Sequence, residues 1–218
     1  MEGLQLNMGV GRHNPDQMAD SDDRQPSDDV LMARAAAGDR DAFGALYRRR
    51  RSDVYHFALL MSGSNAVADD VTQDVFMEVI HHAARYQPDR SGVVPWLFGI
   101  ARNHVLRARY RQRFAVPMEE ADVSAPQLTV TPDPLGSMAR RQHVAAVRRA
   151  LMAMPVKYRE TIVLCDLQEM SYADAAASLG CAIGTVRSRL HRGRAMLASR
   201  MAETRTVPMR SPLARWVL

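Results

Sequence analysis

Cysteine, which is abundant in many small secreted and metal-binding proteins, is nearly absent from this chain. Its 218 residues include two cysteines, Cys165 and Cys181, which form neither a CxxC pair nor a metal-binding spacing. These features argue against a disulfide framework and favour a reducing compartment. No apolar run approaches the ~20 residues of a membrane-spanning helix, and no signal-peptide pattern opens the chain. We therefore expect a soluble intracellular protein that does not insert into a membrane.

Residues that form turns are also sparse. The chain has 12 glycines and 11 prolines, too few for an all-β protein rich in turns, and its apolar residues recur at helical spacings. A hydrophobic content of 47% excludes wholesale disorder, and the length suits one or two small domains with real cores. The predicted fold class is all-α.

Two segments lack helical periodicity and divide the chain. Residues 1–26 mix Gly, Asn, Asp, Gln and Pro, which predicts a disordered acidic leader; an autoinhibitory shield over a basic surface is the alternative. Residues 115–136 contain four prolines and scattered acids, which predict a flexible linker. We therefore predict two small helical domains, 27–114 and 137–203, followed by a tail over 204–218.

Positive charge is concentrated outside the leader. The formal net charge is +5, although residues 1–29 carry seven acidic side chains against two arginines. The rest of the chain is therefore strongly basic, which indicates a polyanionic partner such as nucleic acid.

The stretch from Ser171 to Arg194 predicts a helix-turn-helix. Ser171 and Asp174 have the spacing of a capping box, and Gly180 suits a left-handed helix end. Small Ala176 allows close approach of a second helix that begins near residues 184–185. The apolar positions of that helix are four, three and four residues apart: Val186, Leu190, Gly193 and Leu197. We predict a four-helix C-terminal domain, winged-helix-like but without a wing.

The outward face of this second helix is basic. At about 100° per residue, Ser188, His191 and Arg192 point away from the apolar positions. Three further arginines flank them: Arg187, Arg189 and Arg194. Arginine can hold guanine N7 and O6 through two hydrogen bonds, and Ser and His can contact bases or phosphates. A solvated basic face is the alternative, but no acidic residue occurs from 184 to 201, so we favour duplex DNA.

In the first domain we predict a short helix over Val30–Ala37, a longer one after Asp39–Asp41, and a third over Val67–His82. The Arg48–Arg51 run on the second is interpreted as a solvated face, with phosphate contact as the alternative. The third helix has a predicted buried stripe: Val67, Val71, Val75 and Val79, continued by Phe76 and Ile80.

The opposite side of that third helix is acidic. Asp70, Gln73, Asp74, Met77 and His81 share one face, with Asp69 and Glu78 at its margins. Such a face suits docking of a basic partner, and a merely solvated face is the alternative. A metal site is a weaker alternative, because DDxxxD followed by two histidines lacks a known zinc or calcium spacing.

A loop is predicted over 86–95, followed by the helix VVPWLFGIARNHVLRARYRQR. Its predicted core positions are Leu97, Ile100, Ala101, His104 and Ala108. A second stripe holds Trp96, Asn103 and Tyr110, bordered by arginines: Arg102, Arg107 and Arg109. Aromatic rings stack on unpaired bases while guanidinium groups hold phosphates, so this pattern suits single-stranded nucleic acid. For Trp96, a core anchor is the alternative.

Four motifs in order, DDVTQDVF, PWLFGIARN, ALMAMPVKYRETIVL and SYADAAASLGCAIGTVRSRLHRGR, resemble the bacterial extracytoplasmic-function (ECF) sigma factors, the minimal two-domain members of the sigma-70 family. The resemblance covers roughly residues 28–201. It implies that Asp69, Asp70, Gln73 and Asp74 dock on the beta-prime clamp helices of core RNA polymerase, with the beta flap as a further contact.

The resemblance also implies roles in DNA recognition. Single-stranded DNA at the minus-ten element would be captured by five side chains: Tyr86, Trp96, Arg102, Asn103 and Arg107. The minus-thirty-five element would be read as duplex by another five: Thr185, Arg187, Ser188, His191 and Arg192. The linker would thread toward the RNA exit channel.

Members of this family are commonly held inactive by an anti-sigma factor, often membrane-bound, so a cytoplasmic protein held at the inner membrane through such a partner is implied. One departure is Arg107, where family members often have aspartate. Because no nucleophile–base pair, metal cage or phosphate loop is evident, we expect no enzyme, metal or cofactor. The alternative function is a stand-alone helix-turn-helix regulator of palindromic sites, whose first domain dimerises or senses a ligand.

Overall fold

The computed structural model describes residues 26–88, 91–114 and 134–206. These ranges contain α-helices and no strand, which confirms the all-α prediction. The helices are α1 (Asp28–Ala36), α2 (Arg40–Ser62), α3 (Asn65–His82), α4 (Val93–Phe114), α5 (Pro134–Met152), α6 (Val156–Ile162), α7 (Tyr172–Leu179) and α8 (Ile183–Thr206). The predicted leader, linker and tail fall almost entirely outside the described ranges, so the domain boundaries remain predictions.

Side-chain caps fix the starts of the N-terminal helices. Ser27 Oγ accepts a hydrogen bond from Val30 N at 3.3 Å. Asp39 Oδ1 accepts from the backbone nitrogens of Ala42 and Asp41, both at 3.0 Å, and these bonds lower the pKa of Asp39. Each cap satisfies donors that the first helical turn would leave unpaired. The first two helices therefore begin close to where the sequence places them.

The first unit, α1–α4, buries one face of each helix. On α2 the buried positions include Leu46, Val54, Phe57, Ala58 and Met61. On α3 the stripe is buried at Val71, Val75, Phe76 and Val79, but Ile80 is 54% exposed, so that prediction is wrong. Ile80 follows Val79 by one residue and is rotated about 100° away from the packed face.

Helix α4 differs from its prediction at both its start and its core. It begins at Val93, so Pro95 lies in its first turn, where a missing backbone N–H costs nothing, rather than in the preceding loop. Phe98 and Val105 are fully buried, whereas His104 is only half-buried. Ile100 and Ala108, also predicted for the core, are half-buried too. The helix packs on α2, α3 and α7 at once, so its buried surface is wider than the single stripe that the sequence pattern predicts.

The predicted solvated Arg48–Arg51 run contains two structural arginines. The carboxylate of Asp28, which is 9% exposed, accepts hydrogen bonds from Arg49 Nη1 at 2.8 Å and from Arg50 Nε at 2.5 Å. These ion pairs join the start of α1 to the middle of α2. Half of the run therefore stabilises the first unit rather than facing solvent.

The second unit, α5–α8, has its own small core of Leu151, Met154, Ile162 and Leu190. Helix α5 begins at Pro134, three residues before the predicted start, and ends at Met152. Helix α6 ends at Ile162, and a π-helical turn, Val163–Leu167, follows it. Cys165 in this turn is half-buried, and burial raises the pKa of its thiol.

The two units pack against each other through a continuous apolar interface. Residues of the π-helical turn and of the helix-turn-helix, including Val163, Leu164 and Val186, join the core of the first unit. Helix α4 lies against α7: Ser178 Oγ donates to the carbonyl of Pro95 at 3.0 Å. Gly99 lies at this contact, where a Cβ would be in ordinary van der Waals contact with the Ser178 carbonyl oxygen at 3.7 Å. The described helices therefore form one closed body.

Gly63 ends α2 at the same interface. It adopts a left-handed conformation (φ 79°) and donates its backbone N–H to the carbonyl of Leu59 at 2.8 Å. A Cβ at this position would approach the Met152 methyl carbon to 2.9 Å. The backbone conformation thus requires glycine, while the Met152 methyl group, at the end of a flexible side chain, would have to shift to admit a Cβ.

Arg159 is the largest fully buried side chain, at 1% exposure. Its guanidinium donates to the carbonyls of Leu151, Met152 and Met154 at 2.8, 2.6 and 3.0 Å, and to the carbonyl of Met61 at 2.7 Å. No carboxylate of the described residues pairs with it; the carbonyls come from the C-terminal ends of α5 and α2, where helix dipoles favour a cation. Burial, with a smaller contribution from nearby Arg109, lowers the pKa of Arg159 to about 10.

Replacing Arg159 by methionine tests its structural role. We expect the free energy of unfolding to fall by about 2–4 kcal/mol, because buried carbonyls lose their donor while the apolar volume is kept. Urea denaturation followed by circular dichroism measures the change. Arg149→Met, on the exposed side of α5, is the control and should shift the free energy by under about 0.5 kcal/mol. Equal effects of the two substitutions would contradict a specific role.

Candidate nucleic-acid interface

The helix-turn-helix has the local geometry that its sequence predicts. Ser171 Oγ accepts from Asp174 N at 3.1 Å and donates to the Asp174 carboxylate at 2.7 Å. Gly180 is left-handed (φ 62°), and Cys181 N donates to the carbonyl of Ala176 at 3.1 Å, which closes the end of α7. Val186 of α8 is fully buried beneath the turn. Helix α8 begins at Ile183, one residue before the predicted start.

The packing of α8 leaves a polar face outward. Arg187, Ser188, His191 and Arg192 are exposed, and Thr185 is half-buried near the start of the helix. Ser188 Oγ donates to the carbonyl of Thr185 at 3.0 Å, so its oxygen remains able to accept a hydrogen bond. The four exposed side chains occupy about one and a half helical turns. They form a surface that can enter the major groove of duplex DNA.

Two of the three flanking arginines are engaged within the protein. Arg194 makes two hydrogen bonds to Asp166, at 3.0 and 2.5 Å, which raise the pKa of Arg194. Arg189 is half-buried and turns toward Glu160. The sequence pattern grouped these two with the outward arginines, but the structure uses them to hold α8 on α6 and the π-helical turn. The outward cations of this group are thus Arg187 and Arg192.

The acidic face of α3 lies on the surface and not in the protein's own core. Asp69, Asp70, Gln73 and Asp74 are exposed, and Met77 among them is 43% exposed. His104 Nδ1 of α4 lies 3.1 Å from Asp74 Oδ2. An open cavity of about 630 Å³ adjoins this pair and is lined by Asp74, His104, Leu106, Arg107, Tyr110 and Arg111. Carboxylates surrounding an exposed methionine can bind a basic, partly apolar surface.

The five side chains predicted to bind single-stranded DNA fall into three environments. Tyr86 and Trp96 are half-buried and pack together, with ring centroids 5.6 Å apart. Asn103 and Arg107 are exposed one helical turn apart on α4. Arg102 is turned toward the second unit and contacts Glu160. The structure therefore brings together two aromatic side chains, and it separates Arg102 from the exposed pair.

Asp29, which the sequence analysis did not identify, positions Tyr86 and the start of α4. Its Oδ1 accepts from the Tyr86 hydroxyl at 2.6 Å and from Val93 N at 3.1 Å. Burial, together with this hydrogen bond, raises the pKa of Tyr86. Its contacts are 57 and 64 residues away along the chain, so no local pattern reveals them.

Glu160 is the second functional candidate that sequence reasoning missed. Its carboxylate is 2% exposed and accepts from Arg102 Nε at 2.8 Å and, more weakly, from Arg102 Nη2 at 3.5 Å. Arg189 Nη1 lies 3.5 Å from the same carboxylate. One buried anion thus binds an arginine from α4 and another from α8.

Across residues 26–88, 91–114 and 134–206, no cluster of His, Cys, Asp and Glu is arranged to hold a metal ion. In the same ranges no helix combines the length and apolar character needed to cross a membrane.

Two family models match the chain: Sigma-70 region 2 over residues 46–114 and Sigma-70 region 4 over residues 145–197. The ECF RNA polymerase sigma factor SigM of Mycobacterium tuberculosis is 38% identical over 172 residues, covering 79% of this chain and 83% of SigM. SigE of Mycolicibacterium smegmatis, also an ECF RNA polymerase sigma factor, is 34% identical over 196 residues. The match covers 86% of this chain and 74% of SigE.

Two solved structures share the fold. CnrH in complex with the cytosolic domain of CnrY is 29% identical, with a TM-score of 0.62, and the match covers 81% of this chain and 99% of CnrH. The sigma factor RpoE of Bartonella quintana, in complex with the anti-sigma factor NepR, is 27% identical, with a TM-score of 0.58. The match covers 73% of this chain and 96% of RpoE.

Asp29→Ala tests the anchoring of Tyr86. We expect the free energy of unfolding to fall by about 1–2 kcal/mol, because the Tyr86 hydroxyl and Val93 N lose a shared charged acceptor. Urea denaturation gives this value. A red shift of Trp96 emission, measured in a Trp216→Phe background, should report loosening of the adjacent ring. Asp41→Ala, an exposed carboxylate at the start of α2, should leave the emission unchanged; unchanged emission in Asp29→Ala as well would refute the anchoring.

Proposed function

Because the chain belongs to the extracytoplasmic-function sigma factors of RNA polymerase, which direct core polymerase to promoters, we propose that three surfaces of its two units divide this task. The first docks on polymerase, the second captures melted DNA and the third reads duplex DNA. The strongest support is that an acidic face and a basic helix face are both exposed, on different units of one chain. The residues assigned below are part of the proposal.

The acidic face of α3 is the polymerase-docking surface. Asp69, Asp70, Gln73 and Asp74 surround exposed Met77 in an otherwise basic protein. An acidic patch on a basic protein selects a basic protein surface and repels nucleic acid. The partner is the pair of clamp helices of the beta-prime subunit, with the beta flap as a second contact through the C-terminal unit.

Helix α4, together with Tyr86 before it, captures the unwound strand at the minus-ten element. Tyr86 and Trp96 present two adjoining rings on which bases can stack, and Asn103 and Arg107 offer exposed hydrogen-bond donors on the same helix. Arg102 completes this set once it is released from Glu160. Arg107, where relatives often have aspartate, adds a phosphate contact at the edge of the melted strand.

The start of α8 reads the minus-thirty-five element in the major groove. Arg187, Ser188, His191 and Arg192 face outward from a helix that the turn at Gly180 holds in place, and Thr185 lies at its N-terminal end. Recognition helices of this kind contact bases with residues of their N-terminal half. The domain boundaries 27–114 and 137–203 assign one DNA-reading surface to each unit.

Control by an anti-sigma factor fits the two structural relatives, which were solved with CnrY and with NepR. The protein then acts in the cytoplasm and is withheld from polymerase until an envelope or other stress signal releases it. A membrane-bound anti-sigma factor would hold it at the inner membrane. Its contribution to transcription is recognition and DNA melting, while the polymerase supplies the catalysis.

Reconstituted transcription tests the docking surface. Purified chain with core polymerase should yield specific transcripts, and either component alone should not. Asp70→Arg combined with Asp74→Arg should lower affinity for core polymerase at least about 100-fold, because two attractive contacts become repulsive. Capture on immobilised core enzyme measures the affinity.

Asp41→Arg is the matched control, since Asp41 is an exposed carboxylate of α2 and is not one of the residues assigned to the acidic face. It should leave capture within about twofold of the parent. Thermal melting verifies that all variants are folded. Undiminished capture by the double variant would remove the acidic face from the polymerase interface.

Arg192→Ala tests duplex reading by α8. If Arg192 holds a base edge, binding weakens by about 1–3 kcal/mol at one promoter position and sequence preference relaxes there. We expect this result in holoenzyme binding to promoters with single substitutions in the minus-thirty-five element. Arg149→Ala on α5 is the control. Uniform weakening across all sequences, with a reduced salt dependence, would instead assign Arg192 to phosphate.

A further inference from the structure

Glu160 connects the two DNA-reading helices at the centre of the interface between the units. Its carboxylate is 2% exposed and lies 2.8 Å from Arg102 Nε and 3.5 Å from Arg189 Nη1. Burying a carboxylate is costly unless cations and hydrogen bonds compensate, and both cations here come from helices assigned to DNA. Glu160 therefore occupies arginines in the way that a DNA phosphate would.

The closed arrangement cannot read a promoter. The minus-ten and minus-thirty-five elements are about 25 base pairs apart, which is about 85 Å along B-DNA at 3.4 Å per base pair. Yet Arg102 and Arg189 share one carboxylate, and Arg192 is one helical turn from Arg189. The two units must separate before each can reach its element.

The contacts between the units permit this separation. Besides the Arg102 ion pair, the hydrogen bonds that cross the interface between described residues include Arg159 to the Met61 carbonyl, Ser178 to the Pro95 carbonyl and Gln168 to the Asp53 carbonyl. On separation Arg159 keeps its three acceptors on its own unit, and Glu160 and Arg102 gain water. The apolar part of the interface holds the units together, so opening has a cost but leaves each unit folded.

We propose that Glu160 is an autoinhibitory latch, which holds the free chain closed by binding Arg102 of the minus-ten surface together with Arg189 of the recognition helix. This inference rests on the proposed function for the meaning of closure, but closure itself is measurable without DNA or polymerase. Binding of core polymerase separates the units and breaks the latch. Phosphates of the promoter then replace the carboxylate at Arg102, while Arg189 and Glu160 stay together in the second unit.

Distances between spin labels test the latch in the full chain. Labels are attached at Ala33→Cys on α1 and Ala198→Cys on α8, both exposed positions, in a Cys165→Ala, Cys181→Ala background. The parent should give a single short distance. Glu160→Gln keeps the shape but removes the charge, and should raise the long-distance fraction about tenfold or more. Excess core polymerase should shift every variant to the long distance.

Asp166→Asn is the matched control, because the ion pair that it breaks, with Arg194, lies inside the second unit. It should leave the short distance unchanged. Arg102→Gln removes the other partner of the ion pair and should open the chain as Glu160→Gln does. If circular dichroism shows that Glu160→Gln is unfolded, the distance measured in Arg102→Gln is the test of the latch. A long distance in the parent, an unchanged distance in the folded latch variants, or equal opening by Asp166→Asn would overturn the proposal.

Affinity for core polymerase tests whether closure inhibits. If only the open chain binds, the apparent affinity of Glu160→Gln rises by the factor by which its open fraction rises. Opening without any gain in affinity would show that the closed state is not inhibitory. Failure of the docking surface, by contrast, would appear as weak capture by the parent and by Glu160→Gln alike.

Discussion

The carbonyl groups at the ends of α2 and α5 converge on one buried guanidinium, and the arrangement of the two units depends on this contact. Within the part of the chain that the structure describes, Arg159 is held by four backbone oxygens and no carboxylate, and one of the oxygens comes from the first unit. The C-terminal end of a helix carries partial negative charge, so a cation there offsets several unpaired carbonyl acceptors at once. Because the four bonds converge on one planar group, they fix how the loop between α5 and α6 meets the end of α2.

Some charged side chains of this protein are exposed and available to partners, whereas others form ion pairs that stabilise the fold. Carboxylates remain exposed on α3, where a basic partner can reach them, whereas Asp28, Asp166 and Glu160 are paired with arginines inside the fold. Arginines follow the same division: Arg187 and Arg192 are exposed, but Arg189 and Arg194 hold α8 on the body of the second unit. A sequence rich in one cation can thus supply both a binding face and its support.

Local patterns allowed the helix-turn-helix to be predicted from sequence. The cap at Ser171 and the left-handed Gly180 depend on neighbouring residues, and the structure confirms both. Contacts between distant segments could not be predicted in this way. Glu160 meets Arg102 across 58 residues and Asp29 meets Val93 across 64, and the exposure of Ile80 depends on which helices pack beside α3. Sequence spacing shows which residues share a helix face, but it does not show what lies opposite that face.

Substitutions at Gly63 can alter the equilibrium between the open and closed forms of the chain. Any side chain there would strain a backbone with φ of 79° and would also meet Met152 at 2.9 Å. The first effect weakens the first unit by itself, whereas the second acts only while the units touch. A shorter residue in place of Met152 would relieve the second effect and leave the first. Substitutions at these two positions would therefore be non-additive, and the size of their coupling would report how much of the time the chain spends closed.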